Sequence, residues 1–152
     1  MESEDIDLFS YDNVKGSEAY PKKLVQTDDP AVTVPFPTLT GEGIEYLGYT
    51  TEGTIALSSY RIFVHTKESV FNIPIGLIEQ VEIRDIFFLI IFCKDARSLR
   101  CTFGTNEDCQ KWYRRLLSAI SPPKKVTDLF GFAFFLWCRD ERQDSIFQLL
   151  HQ

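Results

Sequence analysis

The sequence has 152 residues, 44% of them hydrophobic and 14% aromatic, which is ample for one buried core and excludes a disordered or low-complexity chain. Its net charge is −6, but the first thirty residues, with eight acids and three bases, account for −5 of it. The remainder is close to neutral, which excludes a general nucleic-acid binder with a basic face; partners of the folded part must be recognised by a local patch.

Residues 1–30 mix acids with Gly16, serines and Tyr20-Pro21 and show no sustained periodicity, so this segment reads as an acidic flexible arm with no assigned structure. From Val32 the texture changes to short β-branched and aromatic segments punctuated by turn residues, the pattern of a small antiparallel sandwich or barrel. Strands are expected at 45–50, 54–58, 61–65, 69–73, 78–84, 86–93 and 98–103, with turns at 51–53, 66–68 and 95–97. The run Ile86-Phe-Phe-Leu-Ile-Ile-Phe92 lacks alternation, which predicts a strand buried on both faces or covered by another element.

The clearest helix opens at Gly104-Thr-Asn-Glu-Asp108, where Thr105 and Asp108 have capping-box spacing with Asp in place of Glu. Cys109, Trp112, Tyr113, Leu116, Leu117 and Ile120 give it one apolar face, and Lys111, Arg114 and Arg115 lie on the other, expected to face solvent. Ser121-Pro122-Pro123 stops it, since proline cannot continue the helical hydrogen bonds. A second helical segment, 127–138, is apolar almost all round, which suits a surface helix of a small domain poorly.

The longest apolar runs, 86–93 and 129–138, fall short of the roughly 20 residues that span a bilayer as a helix, and the acidic Met1-Glu-Ser-Glu-Asp5 is unlike a secretory signal. A cytoplasmic chain is expected, with Cys93, Cys101, Cys109 and Cys138 as buried free thiols. None of them has CxxC spacing and the only histidines are His65 and His151, so neither a metal nor another cofactor is expected.

The order of these segments, together with Gly41-Glu-Gly, Ile55-Ala-Leu-Ser-Ser-Tyr-Arg-Ile-Phe63, Asn72-Ile-Pro-Ile-Gly-Leu-Ile-Glu-Gln-Val81, Arg84-Asp-Ile-Phe87, Cys93-Lys-Asp95, Cys109-Gln-Lys-Trp-Tyr-Arg-Arg-Leu116, Asp128-Leu-Phe-Gly-Phe-Ala133 and Trp137-Cys138, resembles the PH-GRAM domain of myotubularin-related phosphoinositide 3-phosphatases. Within that family it is most similar to the subgroup with a C-terminal FYVE finger. The resemblance covers residues 32–138 and implies a mainly β fold with α, a pleckstrin-homology-like seven-stranded barrel capped by a C-terminal amphipathic helix. It divides the chain into the arm, 1–30, a PH-GRAM domain, 31–121, and a connector with an apolar helical segment, 122–152. That connector leads towards a phosphatase domain that these 152 residues do not contain. Implied partners are phosphoinositide membranes, the phosphatase domain of the parent protein and a second copy of the chain, at endosomal or other internal membranes.

The family's phosphatase uses a Cys-x5-Arg loop whose thiolate attacks phosphorus. Cys109 to Arg115 matches formally, but the residues between lie inside the helix, whose N–H groups beyond the first turn are already bonded, so no catalytic residue is expected here. His65, in a strand without a nucleophile beside it, is expected to be partly exposed and non-catalytic. The first strand-turn-strand, Thr50-Thr-Glu-Gly53, is acidic, whereas an inositol phosphate needs converging cations. The remaining headgroup candidates are Arg61, Lys67, Lys94, Arg97 and Arg100, against the alternative that they only discourage pairing at a solvated edge. Leu129, Phe130, Phe134 and Trp137 are the interface candidates, for burial against the phosphatase domain or another copy. The leading expectation is thus a non-catalytic recognition and association module. The alternatives are the activity of a parent enzyme on phosphatidylinositol 3-phosphate and 3,5-bisphosphate, and a pure protein-interaction module.

Overall fold

In the computed structural model, which describes residues 14–150, the chain falls into two compact units. One comprises residues 23–38 and 42–122, the other residues up to Lys22, 39–41 and those from Pro123 onward.

The larger unit is mostly β. Its first sheet has the order β1 (Gln26–Thr27), β2 (Ile44–Tyr49), β3 (Gly53–Ser58), β4 (Arg61–Thr66) and β5 (Val70–Pro74), antiparallel except for the parallel β1–β2 pair. A 3₁₀ turn at Ile75–Leu77 leads to a second, antiparallel sheet of β6 (Ile78–Arg84), β7 (Phe88–Cys93) and β8 (Ser98–Thr102). The two sheets have separate ladders. One backbone bond links their ends, the Thr51 N–H donating to the Thr102 carbonyl at 2.8 Å.

Alternation explains the core, since every second side chain of a strand faces one side. Ile55, Leu57, Ile62, Val64, Leu89, Ile91 and Leu99 point inward and meet Cys109, Trp112 and Leu116 of helix α2 (Asn106–Ala119). Thr105 caps α2, its Oγ1 accepting from the Asp108 N–H at 3.1 Å, which satisfies one of the donors that a helix start leaves without a partner. The Asp108 carboxylate instead takes Lys111 at 3.3 Å.

Two expectations for the strand over 86–93 are corrected. It starts at Phe88, and its residues alternate strictly between half-buried and buried. Phe88, Ile90 and Phe92 therefore stand on an outer face, and Ile86 belongs to the preceding turn. The alternation was hidden because the outer positions are apolar too.

In the smaller unit, helix α1 (Gly16–Ala19) packs on helix α3 (Phe130–Leu150). A Cβ on Gly16 would lie 2.7 Å from the Trp137 backbone nitrogen, so only glycine permits this approach. The Ser17 N–H donates to the Asp140 carboxylate at 3.3 Å, and the Trp137 indole N–H donates to the Tyr20 carbonyl at 3.1 Å. The arm is thus ordered from residue 14 where the sequence suggested no structure, and its first thirteen residues lie outside the described ones. The second helix begins at Phe130 and continues well past 138, because the polar stretch after Cys138 is rich in strong helix formers although it carries no apolar stripe. No helix among the described residues is long and apolar enough to cross a membrane.

Candidate functional site

The five candidate cations occupy three different settings. Arg61, at the start of β4, is a structural residue. Its Nε donates to Glu42 Oε2 and its Nη2 to Glu42 Oε1, both at 2.9 Å, and Nη2 also reaches the Pro37 carbonyl at 3.1 Å. Its guanidinium stacks 4.1 Å from the Phe36 ring centre. The Glu42 side chain has no solvent exposure and accepts a further bond from the Ser58 hydroxyl at 2.5 Å. A guanidinium held this way has its charge neutralised and its planar fork filled.

Lys67 is exposed in the β4–β5 turn, on the other sheet from the remaining three. Lys94 and Arg97 are exposed in the β7–β8 turn and Arg100 projects from the outer face of β8. The Asp95 carboxylate accepts from Arg97 Nε at 2.7 Å, and the Arg100 guanidinium lies 4.9 Å over the Phe88 ring. The exposed Arg97–Asp95 pair holds Arg97 only weakly, because solvent and salt screen such a surface pair. Lys94 and Arg97 thus share one turn, Arg100 stands on the adjoining strand turned towards Phe88, and Arg61 and Lys67 stand apart from them.

The formal Cys-x5-Arg match lies within α2. Cys109 is fully buried and burial pushes its thiol up from the ordinary value, the opposite of what a nucleophile needs. Arg115 is not the solvent-facing residue that helical spacing suggests. It donates to Asp28 from Nη2 at 3.0 Å and from Nη1 at 3.2 Å, and stacks on Tyr46 and Trp112. The carboxylate and the two rings make that half-covered position favourable for a guanidinium. Asp28 also receives the Trp112 indole N–H at 3.2 Å and the Lys111 ammonium at 3.0 Å. Burial alone would raise the Asp28 pKa, but hydrogen bonds from Arg115 and Lys111 and their charges outweigh it and hold the carboxyl below its ordinary value.

Beside this cluster lies a cleft of about 230 Å³ lined by Lys23, Glu45, Tyr46, Ser58, Ser59 and Arg115, among others. Its charges are already matched within the chain, Lys23 to Glu45 at 3.7 Å and Arg115 to Asp28. His65 is exposed on β4, and among the described residues no group of His, Cys, Asp and Glu could hold a metal.

Leu129, just before α3, and Phe130 and Phe134 on it are 44%, 56% and 38% exposed, and the Phe130 and Phe134 rings stack at 5.3 Å. The fourth interface candidate, Trp137, is half-buried, tied to Tyr20 and overlaid by the Lys22 ammonium at 4.9 Å.

Two features had no reading in the sequence. Glu42 was visible only as an acid between two glycines, and its partner nineteen residues on is chosen by strand register. The β6–β7 turn exposes Ile86 and Phe87 by 56% and 42%, and its sign in the sequence is Asp85, a turn residue just before an apolar run.

No family model matches the chain. It is 41% identical over 142 residues, 93% of its length, to phosphatidylinositol-3,5-bisphosphate 3-phosphatase MTMR4 of Xenopus laevis. It is 42% and 41% identical over 129 residues to the enzymes of the same name from Mus musculus and Homo sapiens. The chain is thus homologous, over most of its length, to a myotubularin-related phosphoinositide phosphatase, and spans 13% of the length of the frog protein and 11% of the two mammalian ones.

Proposed function

We propose that residues 31–121 form the non-catalytic PH-GRAM module of a myotubularin-related lipid phosphatase of the FYVE-bearing subgroup, which recognises phosphoinositide membranes and associates with the phosphatase domain of the parent protein. The observation that carries this reading is the homology itself: nine-tenths of the chain aligns with about an eighth of a phosphoinositide phosphatase. A pleckstrin-homology-like barrel is supported by the two sheets, the helix packed on their common core and the Thr51–Thr102 bond joining their ends. In this reading removal of the 3-phosphate from phosphatidylinositol 3-phosphate and 3,5-bisphosphate belongs to the parent enzyme. The α2 setting of Cys109 and Arg115 supports assigning that chemistry elsewhere.

Headgroup contact falls to Lys94, Arg97 and Arg100. Lys94 and Arg97, at one turn, can converge on a phosphate cluster, with Arg100 on the adjoining strand turned towards Phe88, whereas Arg61 is occupied by Glu42. Such contacts are weak singly and add to other anchors on cytoplasmic faces of endosomal or other internal membranes. The test is co-sedimentation with vesicles carrying individual phosphoinositides. Retention of the wild-type chain and its loss in Arg97→Glu/Arg100→Glu are expected; unchanged retention of the double variant removes the headgroup assignment. A phosphatase assay on the 152-residue chain should give no turnover.

A pure protein-interaction module is the second reading, favoured by the stacked, exposed Phe130 and Phe134. It predicts no vesicle retention for either form.

A further inference from the structure

The β6–β7 turn lies at the end of β7 remote from Lys94 and Arg97, and its backbone is unusual. Asp85 and Ile86 both have positive φ, 50° and 71°, and the Phe87 N–H closes the turn on the Asp85 carbonyl at 2.7 Å. Arg84 pairs with Phe88, so the loop has three residues, and an i to i+2 bond around a residue at positive φ has the form of the rare and strained γ-turn; positive φ suits Gly, Asn or Asp. Asp85 fits. Ile86 does not, because a β-branched residue places its Cβ against the following carbonyl in this conformation. Strain of this kind persists where the position is held for another purpose.

That position presents an apolar side chain to solvent. Ile86 is 56% and Phe87 42% exposed, and behind them on the outer face stand the half-buried Phe88, Ile90 and Phe92. Arg100, opposite Ile90, leans towards the turn so that its guanidinium covers Phe88. Arg84 precedes the turn and pairs with Glu82. The charges around the tip, Arg84 and Arg100 against Glu82 and Asp85, sum to zero.

We propose that the Ile86–Phe87 tip inserts shallowly into the interfacial layer of a lipid bilayer. This rests on the membrane reading above and deepens it by naming a contact at the end of β7 opposite Lys94 and Arg97, the end towards which Arg100 is turned. The occupant follows from two things: the homologues act on a phosphoinositide, so a bilayer is the surface at which such a chain is used, and Arg100 is placed to meet lipid phosphate when the tip is buried. Because the rim is electrically balanced, insertion draws on apolar burial. It depends little on anionic lipid, unlike contact through Lys94 and Arg97. The two contacts are about 20 Å apart along β7, at roughly 3.3 Å per residue.

The experiment compares the wild-type chain, Ile86→Asn/Phe87→Ser and Lys94→Glu/Arg97→Glu on vesicles of phosphatidylcholine with and without phosphatidylserine, and the wild-type chain also on phosphoinositide-bearing vesicles, with melting curves and light scattering of each. Asn accepts positive φ, so Ile86→Asn alone should melt no lower than wild type. The tip double variant should bind both vesicle types at least about tenfold more weakly, the order expected when two apolar side chains leave the contact. Unchanged vesicle binding by a folded tip variant overturns the proposal and leaves the membrane reading standing. No binding of any vesicle by the wild-type chain, phosphoinositide-bearing ones included, overturns both. Self-association of the wild type that the tip variant loses, without a change in vesicle binding, assigns the tip to a contact between copies and overturns it as well.

Discussion

Glu42 and Arg61 form a bidentate ion pair whose two side chains are 0% and 12% exposed. The Ser58 hydroxyl and the Pro37 carbonyl add hydrogen bonds to it, and the Phe36 ring adds a stacked face. The pair therefore holds the chain entering β2 against the β3–β4 hairpin. Removing one partner strands the other's charge, which typically costs about 3–5 kcal/mol. Arg61→Ala should show that loss in urea unfolding, whereas Glu42→Leu/Arg61→Met, which removes both charges at similar volume, should recover most of it. Arg61 variants are for this reason no test of lipid binding, since their effect on any activity passes through the fold.

A second prediction concerns Asp28 and acid. Its carboxyl titrates below the ordinary 3.8 because Arg115 and Lys111 outweigh the opposing effect of burial. A lowered folded pKa means that the ionised form is favoured by folding. The stabilisation is complete above 3.8 and disappears as pH falls through the lower folded value. Asp28→Asn keeps the shape, loses the charge and should destabilise the chain by about 1–3 kcal/mol near neutral pH. The difference from wild type, measured by urea unfolding in stepwise more acidic buffers, should shrink progressively as pH falls below 3.8; a gap that stays constant means that the carboxylate's charge contributes nothing.

What could be read in advance follows from how local each feature is. The strands from Ile44 to Thr102 were legible because turn residues separate short β-branched segments, and α2 because Thr105 and an apolar stripe mark its start and its face. Helix α1 and strand β1 are too short to carry a period, and they form through partners far along the chain: Gly16 against Trp137, and Gln26 beside Tyr46. The same holds for the polar clusters. Asp28 and Arg115 are 87 residues apart, and no spacing rule connects them. Arg115 reads as solvent-facing because helical periodicity places a residue on a face without saying what covers that face. The Ile86 turn is not legible in the sequence because propensity places isoleucine in a strand, and only the backbone shows it in a conformation that isoleucine disfavours.

Thiol chemistry gives a third prediction. Cys93, Cys101 and Cys109 are buried, and burial raises all three thiols, Cys101 to about 12, while Cys138 is half-exposed. The reacting species is the thiolate. In Ellman's assay at about pH 8, the reference region for a free thiol, Cys138 should react first and the other three only as the chain unfolds. Cys138→Ser should remove the fast phase and leave three thiols that appear in denaturant. Rapid labelling of Cys109 in the folded chain would contradict its placement in the core.

The last prediction concerns α3. Phe130 and Phe134, four residues apart, stack on one side of the helix, and Leu129 extends the same apolar region just before it begins. These side chains remain exposed although Leu136, in the same helix, is buried, so the unit has covered one side of an apolar segment and left another open. Exposed rings of this kind gain about 0.5–1.5 kcal/mol per pair beyond area burial when they meet aromatic partners. In the isolated chain the available partner is a second copy. Light scattering over a concentration series should show self-association that weakens at least about tenfold, or about 1.4 kcal/mol, in Phe130→Ser/Phe134→Ser. Trp137→Phe, which removes the indole donor to Tyr20, should instead loosen α1 and leave association largely intact, because Trp137 is engaged inside its own unit. If the wild-type chain is monomeric at every concentration, the open side of α3 is not a contact between copies, and covering it falls to the phosphatase domain proposed to associate with this module.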